Sequence, residues 1–194
     1  MAVESVYSAA KSSGRPDIDQ GYIFAGYRLP TPTGYVSVPI VVVTPTCDFY
    51  QPKAYRTAAV TLTVLPLSLL AGLAAEQFKL QWNPDGRRVV LTSSADRNKF
   101  QNFIRDLVNG NLASLHYLPP FGEHGPSFVS FDSPLSIHLT DFDSLEFLAA
   151  MRPPYREYLS TRFSTYYLRV GTSDFPEWID QLLSEYSRTE FVPK

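Results

Sequence analysis

The sequence predicts an α+β protein with a bent β-barrel core over about residues 18–140. An amphipathic helix at 95–109 lies across that core, and a helical extension covers about 145–194. Three observations carry this. Branched and aromatic runs alternate with Pro and Gly breaks through the first half, which suits short strands. Phe100, Phe103, Ile104, Leu107 and Val108 recur at i, i+3, i+4, i+7 and i+8, the spacing of one helix face. Behind Pro153-Pro154, Tyr155, Leu159, Phe163, Tyr166 and Val170 make a second helical stripe. The 194 residues suffice for one domain, and the link near Arg152 is too short to mark a boundary.

The elements follow in chain order. Residues 2–12 read as a short helix. Residues 21–28, aromatic and branched, read as a strand, and the Pro30-Thr-Pro-Thr-Gly34 cluster as a turn or exposed loop. Residues 35–44 form a second strand whose apolar end, Ile40 to Val43, implies burial on both faces. Pro45-Thr-Cys-Asp48 stops it. After a loop through Pro52 and Lys53, Val60, Leu62 and Val64 alternate with Thr61 and Thr63, the pattern of a half-buried strand. Pro66 ends that strand, and an apolar helix runs over 67–78.

A hairpin then turns at Asn83-Pro-Asp-Gly86. Ser93 or Ser94 caps the helix at 95–109, and Gly110 ends it. Residues 112–117, 127–131 and 135–139 are short strands. In the tail, Asp174 caps a last helix that buries Trp178, Leu182 and Leu183.

Composition narrows the function classes. The chain is 44% hydrophobic and 19% charged, which excludes a charged disordered tail. A formal charge of -2 argues against a dedicated duplex-DNA binder, though a local basic patch stays open. The uncharged stretch 58–75 is broken by Thr61, Thr63, Pro66, Ser68 and Gly72, so it reads as strand then helix and not as a membrane span. With no secretory pattern at the N-terminus and one Cys, the cytosol is the expected compartment.

Chemistry-bearing motifs are sparse. The glycines form no phosphate-binding loop. His116, His124 and His138 fall on three separate elements, and neither HExxH nor CxxC occurs, so no metal or cofactor is implied. Cys47 would need a nearby His and a positive setting to act as a nucleophile, and Asp48 beside it opposes a thiolate. The alternative role is a small filler at a strand end. Asp132, Asp141, Asp143 and Glu146 match no calcium loop and read as a solvated loop. Of 17 basic residues, 12 are Arg. Arg152, Arg156, Arg162 and Arg169 lie on or beside one helix among Tyr155, Tyr158, Tyr166 and Tyr167, a combination that grips phosphate and stacks bases or builds protein interfaces. Helical angles split these arginines between two meridians.

Residues 39–68 carry a specific pattern: Pro39-Ile-Val-Val-Val-Thr44-Pro45, a loop, then Val60-Thr-Leu-Thr-Val-Leu-Pro66-Leu-Ser68. With Gly21-Tyr-Ile before it, this resembles the core of PemK/MazF-like toxins over about residues 20–70. The resemblance implies a small, strongly bent SH3-like barrel, often dimeric, that cleaves RNA. Ser68 matches the family's hydroxyl after the last Pro. Val38 stands where the family has Arg, and an apolar side chain cannot stabilise a phosphorane-like charge. Arg28 on the neighbouring strand is the candidate substitute. Thr44, Thr46, Cys47 and Asp48, with Leu118-Pro-Pro120 and the later Arg-rich helix, also resemble a group of bacterial PemK-like-barrel proteins, which implies association with mobile or defence loci.

The expected function is therefore a non-catalytic interaction module that holds a partner protein, perhaps as a dimer in a bacterial defence or toxin–antitoxin system. Its candidate binding residues are Thr44, Thr46, Cys47, Asp48, Arg152, Arg156, Tyr158, Arg162 and Arg169. The alternatives are an endoribonuclease using Arg28 and Ser68, or an RNA-binding regulator acting through the Arg/Tyr helix.

Overall fold

The computed structural model of the chain describes residues 6–8, 18–49, 57–83, 88–91 and 93–170. Its strands are β1 (Tyr7–Ser8), β2 (Tyr22–Thr31), β3 (Gly34–Val42), β4 (Ala58–Pro66), β5 (Gln81–Asn83), β6 (Arg88–Val90), β7 (Leu115–Leu118), β8 (Ser127–Ser130), β9 (Leu135–His138) and β10 (Glu146–Met151). Its helices are α1 (Thr46–Phe49), α2 (Leu67–Gln77), α3 (Ser94–Val108) and α4 (Tyr155–Val170), with a 3-10 helix at Leu139–Ser144. The fold is mixed α+β around a curled antiparallel half-barrel sheet. Among the described residues the sheet runs β1-β10-β2-β3-β4-β8-β7, with β9 also on β4. β5 and β6 pair separately.

Local chemistry explains most element ends. Ser93 accepts a hydrogen bond from the Asp96 amide at 3.1 Å and caps α3. Gly110, at φ +74, lets the chain leave that helix. Pro66 closes β4, and α2 starts at the next residue. The β2–β3 hairpin turns at Pro32 and Thr33, with Thr31 opposite Gly34. Its register shifts between Phe24 and Tyr27, where Gly26 takes φ +87. The extra residue is a bulge that bends β2 and increases its twist. Beyond it, residues 27–38 project as an arm with Arg28, Tyr35 and Val36 exposed.

The centre of the sheet is buried on both faces. Ile23, Val41, Val43, Leu62 and Val64 point to one core, which Leu159, Phe163 and Tyr166 of α4 cover. Phe24, Ile40, Val42 and Ala59 point to the other, closed by Ile137 and by Phe142 of the 3-10 helix. A third core packs α2 and α3 around Phe128. The expected burial of Ile40 to Val43 on both faces is what the structure shows. The expectation that β4 is half-buried needs correction. Ala59 and Thr61 are fully buried on its second face, and Thr61 Oγ1 donates to the Leu135 carbonyl at 3.4 Å. A Thr at an inner position is tolerated because β9 supplies its acceptor.

Two further expectations change. Residues 146–151, read as part of the helical extension, form β10, paired with β1 and β2. Their Glu-Phe-Leu-Ala-Ala-Met sequence favours helix locally, and burial of Ala149 and Met151 in the first core overrides it. The helix of the tail starts at Tyr155. Tyr7 and Ser8, read as helical, form the strand that pairs with Met151 and Ala150. The expected loop through Pro52 and Lys53, the tip of the hairpin turn at 84–86 and the last helix with Trp178, Leu182 and Leu183 lie outside the described residues. No described helix is long and apolar enough to cross a membrane.

Phe24 lies edge-on to Phe142 and Phe147, at ring distances of 5.1 and 5.7 Å. Phe24→Ala is expected to lower stability in urea unfolding by about 3–5 kcal/mol. Tyr35→Ala, out on the arm, is expected to change it by no more than about 0.5 kcal/mol.

Candidate functional site

Helix α4 meets the sheet along a polar seam. Gln20 sits at its centre. Its Nε2 donates to Ser160 Oγ at 2.7 Å and to the Arg156 carbonyl at 3.2 Å, and its Oε1 accepts from the Thr46 amide at 3.3 Å. Ser160 Oγ donates onward to the Val43 carbonyl at 3.2 Å. Arg156 lies 3.4 Å from Asp19 and 2.7 Å from Glu157. Gly21, at φ +78, allows this approach, because a Cβ there would stand 2.6 Å from the Cβ of Arg156. Thr44 Oγ1 accepts from the Val60 amide at 2.7 Å. Thr46 Oγ1 is buried with no hydrogen-bond partner. Cys47 is exposed, its thiol 3.7 Å from Asp48 Oδ1. Thr44, Thr46 and Arg156 thus belong to the joint between α4 and the strand ends.

One turn further along α4, Arg162 reaches back to β7 and the segment before it. Its Nη2 donates to the Leu112 carbonyl at 2.6 Å, and its Nη1 lies 3.0 Å from His116 Nδ1. Its guanidinium carbon stands 5.7 Å from the Phe131 ring centre and 5.9 Å from that of Tyr158. A guanidinium has no lone pair to offer, so His116 Nδ1 is the acceptor. The imidazole is then neutral, with its proton on Nε2. Burial first, and the Arg162 charge second, push its pKa down to about 4. Gly110 makes room for this arrangement. A Cβ there would lie 2.7 Å from the Tyr158 hydroxyl and 3.1 Å from Arg162 Nη1.

Beside this pair a cleft of about 220 Å³ opens between α4 and β7. His116, Tyr117, Tyr155 and Tyr158 are among its walls, with Val108 and Met151 beside them. His116 packs at 5.6 Å from the Tyr158 ring and at 6.4 Å, nearly parallel, from Phe131. Tyr158 and Val108 remain 50% exposed, so the cleft is open to an outside ligand. Arg152, exposed, follows Met151 in the chain.

The remaining candidates lie elsewhere or stand alone. Arg28 is exposed on the hairpin arm, its guanidinium 4.8 Å over the Tyr35 ring. Ser68 is half-buried in the first turn of α2. No hydrogen bond or ion pair among the described residues joins the two. Arg169 lies in the last turn of α4, and its side chain is outside the described residues. Asp132 accepts from Ser130 Oγ and from the Tyr166 hydroxyl. Among the described residues no group of His, Cys, Asp or Glu is placed to hold a metal ion. Sequence reasoning missed Gln20, Gly110, the Leu112 carbonyl and the pairing of His116 with Arg162. The one local signal was the alternation in β7, which puts His116 and Leu118 on the buried side and leaves Tyr117 between them half-buried.

The His116 environment predicts a pH dependence. In the folded chain the ring stays neutral down to about pH 4, whereas the ordinary value is 6.5. Between those values the unfolded chain binds the extra proton, so stability falls as pH falls across that window, by roughly 3 kcal/mol from this group. His116→Asn keeps an acceptor for Arg162 and removes the titration. Urea unfolding at pH 7.5 and pH 4.5 is expected to show a smaller loss in that variant than in the native chain; equal losses would contradict the assignment. Comparison with known proteins finds no family model that matches the chain, no matching curated protein and no matching solved structure.

Proposed function

We propose that the chain is a non-catalytic binding module that holds a partner protein in the cleft between α4 and β7, burying one aromatic or branched side chain of that partner. The observation that carries this reading is the cleft itself, an aromatic-walled hollow with half-exposed Tyr158 and Val108 and a single neutral histidine in its lining. Tyr and Arg at an open apolar hollow are the composition of protein-interface anchors. Filling it with one such side chain contributes about 1.5–3 kcal/mol from burial. The His116 lone pair is taken by Arg162, so the ring offers a ligand only an N–H donor. That favours holding over proton transfer.

The arginines support a protein partner over nucleic acid. Arg156 is engaged with Asp19 and Glu157, and Arg162 with His116 and the Leu112 carbonyl. Two of the four cations that would grip phosphate are thus used by the fold. The same reading takes the curled sheet as an SH3-like barrel of the PemK/MazF kind. The antiparallel pairing of β3 and β4, which carry Pro39 and Pro66, supports it.

The test is an NMR titration of the isotope-labelled chain with N-acetyl-tryptophan amide and, separately, with uridine monophosphate. The amide is expected to give saturable shifts at residues 115–118 and 155–158. Tyr158→Ala is expected to weaken it about fivefold, the size of one lost aromatic contact. Shifts at those residues with the nucleotide alone, or with neither probe, would overturn the reading.

A further inference from the structure

Helix α3 carries more apolar surface than the third core uses. Phe103 and Leu107 are buried against α2 and β8. Phe100, Ile104 and Val108, one helical turn apart on an adjoining stripe, line an open groove of about 520 Å³. Gln101 and Arg105 also line it. Arg97, exposed, lies one turn before Gln101 along the helix. The groove therefore asks for an apolar occupant with negative charge at its border.

The chain itself contains such a segment beyond the described residues. Phe175, Trp178, Ile179, Leu182, Leu183 and Tyr186 fall at i, i+3, i+4, i+7, i+8 and i+11, one face of a helix. Asp174 followed by Glu177 is the spacing of a capping box. Asp174, Glu177, Asp180 and Glu185 are acidic, and no Lys or Arg lies between residues 171 and 187. Its charge is thus opposite to that of Arg97 and Arg105. The tether is also long enough. Arg162 lies beside Gly110, directly after the groove. From there α4 runs eight residues to Val170, about 12 Å at helical rise. The five residues to Phe175 span up to about 17 Å when extended, enough to bring the segment back to the Val108 end.

We propose that residues 174–186 fold as an acidic amphipathic helix and dock in the groove on α3 of their own chain. Trp178 and Leu182 seat against Ile104 and Val108, and the carboxylates face Arg97 and Arg105. Docking covers the half-exposed apolar stripe that the third core leaves open.

The test uses the full chain with Trp82→Phe, which leaves Trp178 as its single indole. Trp178 emission is expected to be blue-shifted and protected from acrylamide relative to the same chain in urea, equally at low and high protein concentration. Adding Val108→Glu, at a half-exposed position that tolerates a charge, is expected to return both readouts toward the urea values while far-ultraviolet circular dichroism of the core persists. Ile104→Glu serves as the second groove variant. Emission already at the urea value in the Trp82→Phe chain would overturn the proposal. So would protection that both groove variants leave intact, since Trp178 would then sit elsewhere. Protection that appears only at high concentration, with a dimer in sedimentation, would place a second copy in the groove and overturn docking within one chain.

Discussion

The central strands bury both faces, and this constraint organises the rest of the fold. Ile40 to Val43 have no solvent side, so each face of β3 needs its own cover. A sheet with one wet face would leave either Val41 and Val43 or Ile40 and Val42 against water, at about 25 cal/mol for each Å² of apolar surface. The chain closes one face with α4 and the other with the 3-10 helix, β9 and the rings of Phe24, Phe142 and Phe147. The bulge at Gly26 lets β2 bend with the curled sheet. Past that bend the covers end, and the hairpin continues as an exposed arm.

Seating a polar-faced helix on an apolar sheet creates a second constraint. Polar groups drawn into the joint must be paired, because an unmet hydrogen bond in a buried site costs more than a made one contributes. Gln20 meets this by bonding α4, Ser160 and the start of α1 at once. Arg162 and His116 meet it together at the other end. Burial lowers the pKa of both side chains, the guanidinium remains charged, and the imidazole becomes its acceptor. The cleft follows from this pairing. Arg162 fixes His116 and Tyr158 against Phe131, and those fixed rings form its walls. Binding character at this surface is thus a by-product of how the helix is held, with rigid aromatic walls that lose little freedom when a ligand enters.

The candidate site was less legible than the fold. The sequence groups Arg156, Tyr158 and Arg162 on one helix, and the structure keeps them close. It assigns them different work. Arg156 closes a joint with Asp19, Arg162 props His116, and only Tyr158 lines the cleft. Their partners lie 137 and 46 residues away, beyond the reach of any periodicity. His116 looked like one of three scattered histidines, because nothing near it in the chain marks the Arg that would meet its Nδ1.

What the sequence determined by itself are the features whose cause lies within a few residues. The stop at Pro66, the Ser93 cap, the exit at Gly110 and the helix start behind Pro153-Pro154 are all of this kind, as is the two-faced burial of the Ile40 to Val43 run. Each depends on a dihedral restriction, a nearby hydrogen bond or an apolar period that the local chain carries. Only the tertiary structure decided that the helix-favouring residues 146–151 become a strand between β1 and β2, that Thr61 is buried, and that an arginine and a histidine pair across the α4 seam. Those outcomes turn on which distant surfaces meet when the sheet curls, and burial gained there exceeds the few tenths of a kcal/mol per residue by which local propensity would have chosen otherwise.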